Sequence, residues 1–133
     1  MARRQSGYLM RMLYFPAGMP LVLVVAEDWT LRVAVRAELL ECGIEALGLA
    51  RLDDVAEAVA QGQMPSVVVL EAGLPGADSP ALAQLARSVP VIVVASHTER
   101  APALEQAAAV LYRPVSVGEI VVRVKHLLEG QPA

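Results

Sequence analysis

Short apolar runs of strand length alternate along the chain with segments of helical periodicity, and this alternation constrains the fold more than any other feature. The clearest runs are Leu21 to Val25, Val67 to Leu70 and Val91 to Val94, all rich in valine. Runs of this length and composition are typical of strands that are buried on both faces. Repeated β-α units predict a doubly wound parallel sheet, because right-handed crossovers place helices on both of its faces.

The predicted order is a strand followed by a helix, repeated five times. The second and fifth strands, Ile44 to Leu49 and Val110 to Tyr112, are the weaker runs. A short fourth helix is expected around Arg100 to Ala108, where Pro102 is tolerated only in the first turn. Residues suited to helix starts stand before the other four helices: Asp28, Asp53, Ser79 with Pro80, and Ser116 in capping-box spacing with Glu119.

Composition sets limits on size and on partners. The chain has 133 residues, of which 56% are hydrophobic, enough for one domain with one core. Its net charge of −3 gives no electrostatic footprint for nucleic acid, so we expect none to bind. The single cysteine, Cys42, cannot form an internal disulfide, and its apolar helical context predicts a buried thiol.

The N-terminal stretch superficially resembles a signal peptide, because two arginines precede an apolar segment. Three residues argue against that interpretation: Arg11, Pro16 and Pro20. We therefore expect residues 1–19 to be a poorly ordered extension and residues 20–130 to form the domain. The other apolar runs are only strand-sized, so neither a membrane span nor membrane binding is predicted, and a cytoplasmic location is expected.

Residues with charged or hydroxyl side chains follow four of the predicted strands. In parallel sheets ligands bind at the carboxyl ends of the strands, near the point where strand order reverses. The residues at those ends are Ala26, Glu27 and Asp28, then Glu71, then Ala95, Ser96 and His97, and finally Arg113 with Pro114. This cluster of carboxylates, a hydroxyl and a cation is the predicted functional centre, with His97 expected to be merely exposed beside it.

With these residues in place, the chain resembles the receiver domain of bacterial response regulators from about Leu21 to Glu129. The resemblance is carried by the spacing of several short motifs: Val24-Val25 before the acidic segment, Arg32, Val67 to Glu71 followed by Leu74-Pro75-Gly76, Pro90, and Arg113-Pro114. It implies a flavodoxin-like (βα)5 fold with a five-stranded sheet in the order 2-1-3-4-5. It also implies a signalling module in place of an enzyme.

The resemblance implies phosphoryl-transfer chemistry in which a carboxylate attacks phosphorus, acidic residues hold Mg²⁺, and a lysine pairs with the phosphoryl group. Glu71 stands where the family has its phosphorylated aspartate, and its extra methylene should compromise in-line geometry. Arg113 stands where the family has its lysine. Its planar fork suits a carboxylate.

The metal-binding and switch positions of the family are also altered. The acidic pair becomes Ala26 and Glu27, with Asp28 directly after it, so Glu27 and Asp28 would hold Mg²⁺ weakly or not at all. The switch hydroxyl position falls on Ala95, and Ser96 is displaced by one residue, which turns a strand side chain to the other face.

These changes suggest a pseudo-receiver in which a longer Glu71 side chain forms a permanent ion pair with Arg113, where a phosphoryl group would otherwise lie. Such a pair would mimic the phosphorylated state. Output would then come from protein–protein contact, through the face formed by the fourth helix, fifth strand and fifth helix. That face presents Tyr112, Val122 and the edge from Arg123 to His126, and it could also form a homodimer.

Two alternatives stay open at this point. One is a working, Mg²⁺-dependent receiver of a phosphorelay that accepts phosphate on Glu71, or through Glu27 and Asp28. The other is a small flavin- or cobalamin-binding domain of the same fold, although Ala26 to Trp29 lacks the Ser, Thr and Gly of a phosphate loop. The chain shows no nucleophile-base motif or glycine-rich nucleotide loop that would indicate an enzyme.

Overall fold

A computed structural model describes residues 20–77, 79–99 and 105–130. They contain one parallel sheet of five strands in the order β2-β1-β3-β4-β5, which confirms the predicted fold class and strand order. The strands are β1 (Leu21–Val25), β2 (Glu45–Leu49), β3 (Val67–Glu71), β4 (Val91–Ala95) and β5 (Ala109–Tyr112). Glu71 and Ala95 each end a strand, so β3 and β4 extend one residue further than predicted.

The register of the sheet brings the predicted functional residues to a common edge. Val25 pairs with Leu70, Glu71 pairs with Val94, and Ala95 pairs with Tyr112. Because all strands run in the same direction, the residues that follow β1, β4 and β5 leave the sheet on the side where β3 ends at Glu71.

Four helices are described: α1 (Trp29–Glu41), α2 (Leu52–Ala60), α3 (Pro80–Ser88) and α4 (Val117–Glu129). Three of the predicted caps are confirmed, because the side chains of Asp28, Ser79 and Ser116 each accept a hydrogen bond from a backbone N–H three residues on. These caps explain why α1, α3 and α4 begin where they do.

The predicted cap at Asp53 is wrong. Helix α2 begins earlier, with Arg51 as the N-cap residue and no side-chain capping bond. Asp53 lies inside the first turn, where the helix dipole stabilises a negative charge. Its carboxylate is 3.4 Å from Nη2 of Arg51.

Two further predictions fall on residues that are only partly described or not described. The extension at residues 1–19 lies outside the described part of the chain. The short helix expected around Arg100 to Ala108 lies partly outside it, and Glu105 and Gln106 are its helical residues within it.

The core consists of two apolar layers, one on each face of the sheet. Along β1 the side chains alternate, with Leu23 and Val25 in one layer and Val22 and Val24 in the other. Helices α2 and α3 cover the first layer, while α1 and α4 cover the second. Within the described ranges, no helix is both long and apolar enough to cross a membrane.

The prediction of a buried thiol is wrong, because Cys42 is exposed. Cys42 is the C-cap residue of α1, and its N–H bonds to carbonyls of the last turn. The last residue of α1 buried in the core is Leu39. The apolar pattern of α1 therefore ends before Cys42, which lies beyond the layer that the helix covers.

The burial of α1 predicts a difference between two of its apolar residues. Leu39→Ala should lower the free energy of unfolding by about 2–5 kcal/mol, since Leu39 is fully buried and its truncation leaves a cavity. Val33→Ala on the same helix should change it by less than about 1 kcal/mol, because Val33 is 43% exposed. Urea unfolding followed by circular dichroism measures both, and equal losses would contradict this packing of α1.

Candidate functional site

The carboxylate of Glu71 is the centre of the site, and both of its oxygens are engaged. Oε1 accepts a hydrogen bond from the backbone N–H of Glu27 at 2.8 Å and a longer one from that of Asp28 at 3.3 Å. Oε2 accepts from Nη2 of Arg113 at 2.8 Å. The Glu71 side chain is only 18% exposed. It therefore connects the end of β3 to the loop after β1 and to the loop after β5.

Arg113 is the residue that directly follows β5, and its side chain extends to Glu71. Its backbone N–H donates to the carbonyl of Ala95 at 2.8 Å, and its peptide bond to Pro114 is cis. Besides Glu71, its guanidinium faces Asp28, with Nη1 3.7 Å from Oδ2. The contact between Glu71 and Arg113 predicted from the sequence is thus present, and the planar fork of arginine reaches two carboxylates at once.

Asp28 has two roles in this arrangement. Oδ1 caps α1 by accepting from the N–H of Leu31 at 3.2 Å, while Oδ2 faces Arg113. Its backbone N–H donates to Glu71 as well. Asp28 therefore couples the start of α1 to the ion pair.

The donor set does not fit Mg²⁺ well. Magnesium requires octahedral oxygen ligands, commonly one or two carboxylates with waters. The carboxylates of Glu71 and Asp28 already accept N–H donors and face a guanidinium, and Glu27 adds one further exposed carboxylate. No group of three or more His, Cys, Asp or Glu side chains placed to hold a metal occurs among the described residues.

The end of β4 offers the site no hydroxyl within the described part of the chain. Ala95 is fully buried as the last residue of the strand. The Ser96 hydroxyl lies 3.1 Å from that of Thr98, and its backbone N–H donates to Glu99 Oε1 at 2.8 Å. Ser96 is therefore engaged within its own loop instead of with Glu71 or Arg113.

His97 is exposed beside the site, as predicted, and it also makes an aromatic contact. Its ring stacks on Tyr112, with centroids 4.4 Å apart and planes 9° apart. The β4–β5 register brings the two together, because Ala95 pairs with Tyr112 and His97 follows two residues later. Fifteen positions separate the two rings in sequence, so no local pattern indicates the contact.

Two residues that contact the site were not assigned a role from the sequence. Arg32 of α1 donates from Nη1 to the carbonyl of Ala26 at 2.6 Å. Glu99 accepts from Ser96 N–H with one oxygen, while the other lies 3.2 Å from the point that a Cβ at Gly73 would occupy. Gly73 therefore lets Glu99 reach across from the loop after β4 to the loop after β3.

The fold is shared with many solved structures. A response regulator receiver protein from Burkholderia phymatum is 25% identical, with a TM-score of 0.69 over 83% of this chain and 95% of that chain. A two-component response regulator from Clostridium difficile is 16% identical, with a TM-score of 0.70 over 86% and 99%. A Francisella response regulator receiver domain is 21% identical, with a TM-score of 0.68 over 83% and 97%.

Comparison of the sequence identifies no relative: no model of a known family and no curated protein matches the chain. The structural matches confirm the resemblance to receiver domains at the level of the fold.

The ion pair at the site can be tested by a double-mutant cycle with Glu71→Gln and Arg113→Gln. A coupling of about 0.5–1 kcal/mol in the free energy of unfolding is expected, since both side chains are partly exposed and solvent screens them. The same cycle on Arg51 and Asp53, which are 69% and 87% exposed, should give a coupling near zero. Equal couplings in the two cycles would contradict a special role for the Glu71 pair.

Proposed function

We propose that this chain, which has the fold of response regulator receiver domains, is a signalling module that works without phosphorylation. In this proposal Glu71 replaces the phosphoacceptor, the contact between Glu71 and Arg113 sets the conformation, and the output is protein–protein contact in two-component-type signal transduction. The module acts in the cytoplasm, as expected of such signalling, and it is not an enzyme.

The observation that carries the proposal is that both oxygens of the Glu71 carboxylate accept hydrogen bonds from within the chain. An oxygen that attacks phosphorus needs a free lone pair in line with the leaving group. Oε1 accepts two backbone N–H groups and Oε2 accepts a guanidinium, so three of the roughly four acceptor positions of the carboxylate carry charge-assisted hydrogen bonds, which lower its nucleophilicity. These hydrogen bonds support a Glu71 carboxylate that stays paired within the chain over one that attacks phosphorus.

The same contacts resemble the product of phosphorylation more than its starting point. The resemblance to receivers gives Arg113 the position of a lysine that pairs with the phosphoryl group. Here a carboxylate from the same chain pairs with Arg113 at 2.8 Å without any phosphate. The engagement of Asp28 and Glu71 by N–H donors also supports Mg²⁺ binding that is weak or absent.

The partner surface in this proposal lies at the β5 edge of the sheet. Tyr112 is 44% exposed and Val122 is 53% exposed, so both side chains are accessible to a partner. A groove beside them is lined by Leu111, Gly118, Glu119, Val122, Arg123 and His126. Apolar centres with a charged rim are typical of protein interfaces, so a protein partner, or a second copy, is proposed in preference to nucleic acid or membrane.

Phosphorylation is tested by intact mass after incubation with acetyl phosphate and Mg²⁺. The native chain should keep its mass, because the Glu71 oxygens are engaged. A variant that combines Ala26→Asp, Glu71→Asp and Ala95→Thr should gain one phosphoryl group, since it restores the acidic pair, the acceptor and the hydroxyl.

Glu71→Asp alone shows where the defect lies. If it gains a phosphoryl group, the length of one side chain is responsible, and if it does not, Ala26 and Ala95 contribute as well. Modification of the native chain that disappears in Glu71→Gln would overturn the proposal in favour of a phosphate-accepting receiver.

The partner surface is tested by affinity capture from a cell extract, with and without acetyl phosphate. The set of captured proteins should be the same in both conditions, and Val122→Arg should remove its main member by placing a charge in an apolar centre. Met64→Arg is the matched control, because Met64 is 55% exposed but lies in the loop before β3, the middle strand of the sheet, and does not line the groove. Binding that appears only with the phosphodonor would contradict phosphorylation-independent output.

A further inference from the structure

We propose that Arg32 is the positioning residue of the site, and that it acts on Glu71 through one peptide group. This inference rests on the proposed function, since it explains how the Glu71 carboxylate is held. Arg32 Nη1 donates to the carbonyl oxygen of Ala26 at 2.6 Å, and the N–H of the next residue, Glu27, donates to Glu71 Oε1 at 2.8 Å. Both bonds belong to the peptide that joins Ala26 to Glu27.

The geometry of a peptide makes these two bonds cooperate. The group is planar, and in the trans form its carbonyl and N–H point in opposite directions. A cation therefore lies at the negative end of the peptide dipole and a carboxylate at the positive end. Each charge polarises the peptide towards the other, which strengthens both hydrogen bonds.

The surroundings of the peptide favour this coupling. Ala26 is 1% exposed, and its own N–H donates to the carbonyl of Leu49 at 3.0 Å. The preceding peptide is thus fixed to β2, while the Ala26–Glu27 peptide itself is bound by Arg32 of α1 and by Glu71. Burial reduces screening, so the charges at its two ends interact more strongly than they would at the surface.

Gly48 makes room for the Arg32 side chain. A Cβ added at Gly48 would lie 3.0 Å from Cγ and 3.3 Å from Cδ of Arg32, tighter than ordinary packing allows. Glycine weakens a strand interior, so its presence in β2 calls for such a reason. The stem of Arg32 passes over β2 at this glycine on its way to Ala26.

Arg36 provides a matched control, one helical turn further along α1. Its Nε donates to the carbonyl of Ala46 at 3.1 Å, so it also joins a guanidinium of α1 to a backbone carbonyl. The peptide that follows Ala46 leads to Leu47 in the middle of β2 and does not reach Glu71. Removing Arg36 should therefore disturb α1 and β2 to a similar degree without affecting the site.

The test is amide hydrogen exchange by NMR on the unmodified chain, with Glu27 compared to the core amide of Val69. Arg32→Met should accelerate exchange at Glu27 about tenfold relative to Val69, as loss of a charge-assisted bond predicts, and shift its amide proton upfield. Arg36→Met should leave both unchanged. In a Glu71→Gln background the effect of Arg32→Met should become much smaller, because the carboxylate end of the coupling has been removed.

Several outcomes would overturn the proposal: no change at Glu27 in Arg32→Met, an equal change in Arg36→Met, or an undiminished change in the Glu71→Gln background. If Arg32→Met does not fold, Gly48→Ala replaces it, since it displaces Arg32 while keeping the charge. None of these readouts depends on phosphorylation. A native chain that accepted phosphate would refute the proposed function while leaving this coupling intact, and loss of the coupling would leave the mass result unaffected.

Discussion

The Glu71 carboxylate is the group on which the architecture of this edge of the sheet depends. A charge that is 82% withdrawn from solvent is unfavourable unless donors replace the water it has lost. The donors come from three places: the loop after β1, the start of α1 and the residue after β5. Because one carboxylate accepts from all three, the conformations of these segments become interdependent, and movement of any of them removes a donor from Glu71.

The departures from the receiver pattern form a physically consistent set. An aspartate at position 26 would add a negative charge next to Glu71, and alanine avoids that repulsion. The longer glutamate reaches the donors directly, and the arginine fork at position 113 reaches Glu71 and Asp28 together. Alanine at position 95 presents no hydroxyl that would compete for the same space. Agreement among independent positions supports one common structural purpose.

The sequence predicted the strands, their order and the residues at their carboxyl ends, because valine-rich runs and parallel topology leave few alternatives. The predictions that failed concern features that depend on how the elements pack in three dimensions. Asp53 looked like a cap, but α2 begins earlier, and Cys42 fitted an apolar pattern that ends before it. The stacking of His97 on Tyr112 and the reach of Arg32 over Gly48 depend on register and helix rotation, which local patterns do not encode.

In the proposed function, the backbone hydrogen bonds of Glu71 act together with its contact to Arg113 in setting the conformation. Holding a two-state element at 99:1 requires about 2.7 kcal/mol, half of the free energy that inverts a 1:99 ratio. A partly exposed ion pair such as Glu71 with Arg113 supplies about 0.5–1 kcal/mol. A hydrogen bond from a backbone N–H to a charged carboxylate adds about 1.5–3 kcal/mol. On these magnitudes the backbone donors of Glu27 and Asp28 contribute more to the proposed bias than the ion pair does, and in our proposal Arg32 orients the Glu27 donor.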